Sequence, residues 1–374
     1  MSAVAASSAA RIGTSLAGRT WIVGWWAAGR AIVLGAAAAL GVFGPRGLIG
    51  GDETSRTLGA LGAWDGRWYR TVAANGYLLE PGRQSDPAFF PLYPILLRGL
   101  HATGIGYVAA GLLVSNVAFL AALVLVEALT RALLGTAAAR RTTIYLALFP
   151  IGFVFSMEYP ESVVLCAIAL AALAALRGRW LLVAALTGIG TLARPEMLLL
   201  SLALLPRALR EPAPKSRGVA VGALLAPIAA LGSFALYLQL HLRDPLAWTH
   251  AERAWGRRFT PLGLVRAVQD VPAAFAGNAW IARDVAFFVV YLALLSLALR
   301  RGVPRAWVAS AACVVVLPTF SGSFHSDARF GLLAPAVFWG LAAAGERPRI
   351  DRVIRWTSAV LLAGGTISLA YVFP

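Results

Sequence analysis

Charge is scarce in this sequence, and negative charge most of all. Asp and Glu number 17 against 33 Lys and Arg, and the two signs together make up 13% of 374 residues. With 59% hydrophobic residues and a mean hydropathy of +0.73, that scarcity excludes a soluble globular domain. Cysteine is nearly absent. Cys166 and Cys313 lie within apolar runs, where neither suits a disulfide or a metal site, so the redox compartment is not readable. No group of His, Cys and carboxylates has metal-ligand spacing, and neither a Walker-type nor a dinucleotide-binding glycine loop occurs. No cofactor is therefore implied, and a divalent-metal requirement stays open. No fixed-period repeat is visible and the halves do not look inverted, which disfavours many transporter folds.

What is present is a succession of about eleven apolar segments, expected at 21–43, 106–134, 142–156, 162–176, 180–193, 196–205, 219–240, 281–299, 307–320, 330–344 and 356–372. Alternate loops are short and basic. They hold Arg11 and Arg19; Arg131, Arg140 and Arg141; Arg177 and Arg179; Arg207, Arg210, Lys215 and Arg217; Arg300, Arg301 and Arg305; and Arg347, Arg349, Arg352 and Arg355. These are more than half of the Lys and Arg, while all but four of the 17 acids fall elsewhere. The positive-inside rule then makes the basic loops and the N-terminus cytoplasmic, and puts a reaction centre on the outer face of a multi-pass cell-membrane protein. The formal charge of +16 is read as orientation and contact with anionic membrane lipid. It is not read as a nucleic-acid surface, because the aromatics do not interleave with the basic clusters. The apolar stretch from Trp21 is too long for a signal h-region and reads as a retained span.

The expectation is one integral membrane domain over 1–374, all α-helical, with a first outer loop at 44–105 and a second at 241–280. Loops of that length usually carry function. Residues 89–100, bracketed by Pro91 and Pro94, read as an interfacial helix. The segments at 142–205 are shorter than the roughly 20 residues a straight crossing needs, so they are expected to be tilted or broken and to border a cleft.

Candidate chemistry sits at the outer turns. In Trp64-Asp65-Gly66-Arg67-Trp68-Tyr69-Arg70, a helical reading stacks Trp64, Trp68 and Val72 at i, i+4 and turns Asp65 toward the cleft. Asp65 either caps that helix, pairs with Arg67 or Arg70, or acts as a base between aromatics fit to hold a sugar. Asp52 and Glu53 are the competing acids. Glu158 and Glu161 share a minimal outer turn, costly at membrane level unless paired or ligand-binding, and Glu161 equally suits a helix N-terminus. Arg194 is a partner for Glu161 or Glu196, or else a clamp for an oxyanion. His325 and Arg329, four apart, can hold a phosphate together. Arg30, mid-span, calls for a buried acid or a lipid phosphate beside it.

With these residues placed, the chain resembles the PIG-V family of membrane mannosyltransferases. That family includes the enzyme adding the second mannose to glycosylphosphatidylinositol. The likeness rests on Trp64-Asp65 with Tyr69 and Asn75-Gly76-Tyr77, on Ala88-Phe89-Phe90-Pro91-Leu92-Tyr93-Pro94, on Tyr159-Pro160-Glu161-Ser162, and on Arg329-Phe330 with Pro335, Phe338 and Trp339. Arg194 falls where that family has an arginine after a short span. Arg67, Arg70 and Pro160 depart from its pattern. The resemblance implies a GT-C glycosyltransferase fold and an inverting transfer of mannose or another hexose from a polyprenyl-phosphate sugar to a glycolipid or glycan acceptor. It also implies Asp65 as the general base, an aromatic and acidic substrate site at Trp64, Trp68, Tyr69, Glu158 and Glu161, and Arg194, His325 and Arg329 on the donor phosphate. The alternative from another class is a polyprenyl-lipid or solute transporter, for which polar groups are expected at mid-membrane.

Overall fold

The computed structural model describes residues 18–43, 56–276 and 279–369, and among them there is helix and no strand. Four helices are long and apolar enough to cross a membrane: Thr20–Phe43, Tyr107–Leu134, Pro214–Leu242 and Ala279–Arg300. Eleven full-length spans are thus not established. Shorter apolar helices, among them Glu161–Leu176, Trp180–Thr191 and Pro335–Ala344, take up other expected segments.

Breaks in the short segments coincide with proline, which lacks the N–H a continuing helix needs. The Thr136–Leu148 helix ends just before Pro150, and a 3-10 turn, Gly152–Ser156, follows. A second such turn, Pro195–Leu199, precedes the Leu200–Leu209 helix, and a third, Leu317–Ser321, follows Arg305–Val316. The second and third line the same cavity. Tyr107–Leu134 packs on Glu161–Leu176 and Thr136–Leu148, Ala279–Arg300 on Pro335–Ala344, and Thr20–Phe43 on Pro348–Ser368.

The core is apolar and aromatic. Phe119 and Phe155 stack with centroids 4.2 Å apart, and the buried Trp339 indole N–H donates to Thr130 Oγ1 at 2.8 Å. Arg30 is buried in this core, and no acid pairs with it among the described residues. Its guanidinium donates to Ser156 Oγ at 2.8 Å and to the Gly152 carbonyl at 3.2 Å, and lies 4.7 Å from the Phe119 ring centroid. The expected buried acid is replaced by a hydroxyl and by a carbonyl that the 3-10 turn presents.

The first outer loop is helical where it is described. Asp65–Asn75 forms the expected amphipathic helix, and Leu92–His101 lies close to the expected interfacial one. The second loop holds Ala247–Ala254, Gly263–Gln269 and Val271–Phe275. Its backbone is tied down by Arg258 and Thr260, whose N–H groups donate to Ser321 and Phe320 carbonyls, both at 3.0 Å.

Candidate functional site

Asp65 opens its helix without capping it: the preceding residue, Trp64, has φ 60° and no side-chain cap bond is made. Such a φ is uncommon for a bulky residue and costs of order 1–3 kcal/mol. The Trp64 ring is anchored by its indole N–H, which donates to the Leu369 carbonyl at 3.1 Å. Asp65 itself is bound far from its own helix. Its backbone N–H donates to Tyr159 Oη at 3.2 Å, and its Oδ2 accepts from Arg329, 264 residues away, at 2.6 Å. The carboxylate thus has Arg329 as a partner, where the sequence offered Arg67 or Arg70. Arg70 instead pairs with Glu158.

A chain of charges continues from there. Arg329 Nε lies 3.2 Å from Glu161 Oε1, and the same oxygen accepts from Arg194. Arg194 closes on Glu196 with two bonds, Nη2 to Oε1 at 2.9 Å and Nε to Oε2 at 3.2 Å. Three carboxylates and two guanidiniums are therefore linked from Asp65 to Glu196. Burial alone lowers the pKa of either arginine, but Glu196 and Glu161 outweigh it for Arg194, and Asp65 and Glu161 for Arg329. Both stay charged. Their planes also rest on rings, Arg194 on Phe330 and Arg329 on Tyr159, each at 5.0 Å.

This network forms one wall of a cavity of about 470 Å³. Of the residues singled out from sequence, Asp65, Tyr69, Arg194, His325 and Arg329 line it. Trp64, Trp68, Glu158 and Glu161 do not. Trp68 stands behind the wall, stacked on Phe89 at 5.8 Å and edge-on to Trp255 at 5.5 Å. Glu161 is fully buried between the two arginines. Glu158, also fully buried, is enclosed by glycines: a Cβ at Gly111 falls 2.3 Å from its Cγ and one at Gly66 falls 3.0 Å from its Oε2. Its carboxylate pairs with Arg70. Asp52 and Glu53 lie outside the described residues.

In the sequence Glu196 stands out only as an ion-pair partner, and Trp248, Glu252, Trp255, Arg257 and Phe259 of the second outer loop belong to no motif. All of these line the cavity. A second cavity of about 300 Å³, largely apolar, is lined by Tyr77, Pro91, Leu192 and Phe234 among others. It backs onto the first where Phe90 and Ala193 adjoin Pro91 and Leu192.

His325 and Asp327 flank Ser326, which has φ 71°. The imidazole pKa is lowered by burial and then by Arg257. Asp327 is fully buried, and neither of its oxygens has a hydrogen-bond partner among the described residues. Burial, with Asp284 nearby, raises its pKa from 3.8 to about 9, against the pull of Arg257. The folded state thus binds a proton at neutral pH that the unfolded chain does not. Its contribution to stability is complete below 3.8 and declines as pH rises to about 9. Asp327→Asn is expected to flatten that decline, as measured by thermal unfolding in detergent between pH 6 and 9.5. A wild-type slope retained in the variant would assign the decline to other groups.

No protein-family model matches this chain, and no curated protein does. Solved structures that resemble it distantly include two archaeal ones. The archaeal oligosaccharyltransferase AglB from Archaeoglobus fulgidus, in complex with an inhibitory peptide and a dolichol-phosphate, is 12% identical. The match covers 95% of this chain and 56% of that one, with a TM-score of 0.46. The Archaeoglobus fulgidus oligosaccharyltransferase in complex with Zn and sulfate is also 12% identical over 90% of this chain and 52% of that one, with a TM-score of 0.44. The chain spans about half the length of these proteins, and no residue role is carried over from them.

Proposed function

We propose that this protein is an inverting glycosyltransferase that moves a hexose, mannose by the family resemblance, from a polyprenyl-phosphate donor to a glycolipid or glycan acceptor at the outer face of the membrane. The observation that carries the reading is Asp65. Its carboxylate is held by Arg329 at 2.6 Å on the wall of a cavity whose lining includes Phe89, Phe90, Trp248 and Trp255.

In this reading Arg329 fixes Asp65 through Oδ2, while Oδ1 accepts no hydrogen bond among the described residues and is turned to the reaction. Asp65 takes the proton of the acceptor hydroxyl as that oxygen attacks the anomeric carbon from the side opposite the phosphate. The new carbon–oxygen bond forms as the old one breaks, and its electron pair leaves on the polyprenyl phosphate. Trp248, Trp255, Phe89 and Phe90 supply flat apolar faces for a sugar ring and exclude water. The adjoining apolar cavity suits a lipid chain. Arg194 bonds both Glu161 and Glu196, and this holds Glu161 in place to steady Arg329.

The test is transfer of radiolabelled mannose from polyprenyl-phosphate mannose in membranes containing the protein, with the product identified. Labelled product of inverted configuration is expected. Transfer from a nucleotide sugar with none from the lipid donor would overturn the reading.

A further inference from the structure

We infer that Arg257, with His325 beside it, receives the phosphodiester of the donor; this rests on the glycosyltransferase reading above. Arg194 and Arg329 were the cations expected there from sequence, but the structure commits both. All three guanidinium nitrogens of Arg194 donate to carboxylates, two to Glu196 and one to Glu161. Arg329 is held by Asp65 and Glu161. These two cations and three carboxylates carry a formal charge of −1, and such a cluster repels an anion.

Arg257 differs on each count. It lines the same cavity, and its one carboxylate contact among the described residues, Glu252 Oε2, is long at 3.4 Å and partly exposed, with the side chains 24% and 30% accessible. Such a pair contributes little. Its Nη2 donates to a neutral group, Ser326 Oγ, at 3.1 Å. The guanidinium therefore keeps donors of its rigid fork for an oxyanion. Its place is fixed by the neighbouring bonds from Arg258 and Thr260 to the Leu317–Ser321 turn. His325 lies on the same lining, one residue from Ser326, and burial, with Arg257 second, lowers its pKa, so the neutral ring has one N–H to donate. The lining beside them includes the aromatic faces of Trp255 and Phe259.

The chemistry fits a cation at this point. The bond from the anomeric carbon to the phosphate oxygen breaks with its electron pair going to that oxygen, and the phosphodiester becomes a monoester with more negative charge. A guanidinium there binds the product more tightly than the donor and stabilises the charge as it develops.

The test is calorimetric titration of polyprenyl phosphate into the full chain in detergent. Arg257→Ala and Arg257→Gln are expected to weaken binding by roughly tenfold or more, the scale of one charge-assisted hydrogen bond. They should also raise the KM for donor with melting temperature unchanged, whereas Arg257→Lys keeps part of the affinity. Arg253→Ala, an exposed arginine on the preceding helix, is expected to bind as wild type. Wild-type affinity in both Arg257→Ala and Arg257→Gln would overturn this inference alone. Failure of the wild-type protein to bind polyprenyl phosphate would overturn the donor reading itself.

Discussion

Asp65→Asn is expected to lower turnover by roughly 10² to 10⁴, the contribution usual for a positioned proton acceptor. Asparagine keeps the size of the side chain and an oxygen able to accept from Arg329, so the bond that now spans 2.6 Å has a substitute. What it removes is basicity. The variant should therefore reach the membrane in normal amount, bind polyprenyl phosphate with near wild-type affinity, and transfer no measurable sugar in the radiolabel assay. A purely structural Asp65 predicts something else: loss of stability with little loss of turnover per folded molecule. Near-normal turnover in Asp65→Asn, with Asp52→Asn or Glu53→Gln inactive, would move the base to the earlier acidic pair.

Much of the local structure around Asp65 was legible, because it follows from periodicity. The i, i+4 spacing of Trp64, Trp68 and Val72 gave the Asp65–Asn75 helix, and short apolar runs interrupted by proline gave broken helices beside a cleft. Long-range pairing was not legible in the same way. The partners of Asp65 and Glu161 are 264 and 33 residues off, and only the crossing of helices brings them together. The sequence offered Arg194 two acids and Glu161 two roles without choosing among them. In the structure Arg194 takes both acids, because it sits between a buried carboxylate and the start of its own 3-10 turn. Arg30 shows the opposite failure. A mid-span arginine called for an acid or a lipid phosphate, yet two of its donors meet a hydroxyl and a backbone carbonyl, groups that any sequence contains and none advertises. Arg257 was hidden for another reason: in a loop with many charges, nothing local distinguishes a cation that lines a cavity from one that faces solvent.

Arg329→Met is expected to destabilise the protein by about 3–5 kcal/mol, since it leaves the buried Asp65 without its cation and Glu161 with Arg194 alone. Glu161 is fully buried and Arg329 only 5% exposed in its side chain, so water cannot replace the lost partner. Methionine fills similar volume, and the loss is therefore electrostatic in origin and not a cavity effect. The double variant Arg329→Met/Glu161→Gln should recover a large part of that stability, because one of the stranded charges is gone. A coupling of this kind is what residues in one ion-pair network show, whereas independent sites add. Activity should part company with stability: the double variant is expected to fold yet remain slow, because Asp65 still lacks the guanidinium that orients it. Equilibrium unfolding in detergent gives the coupling, and turnover per folded molecule gives the catalytic share. Strict additivity of the two substitutions would mean that Arg329 and Glu161 are neighbours only. Full recovery of turnover in the double variant would mean that Arg329 serves the fold, and that Asp65 is positioned by its helix and by Tyr159.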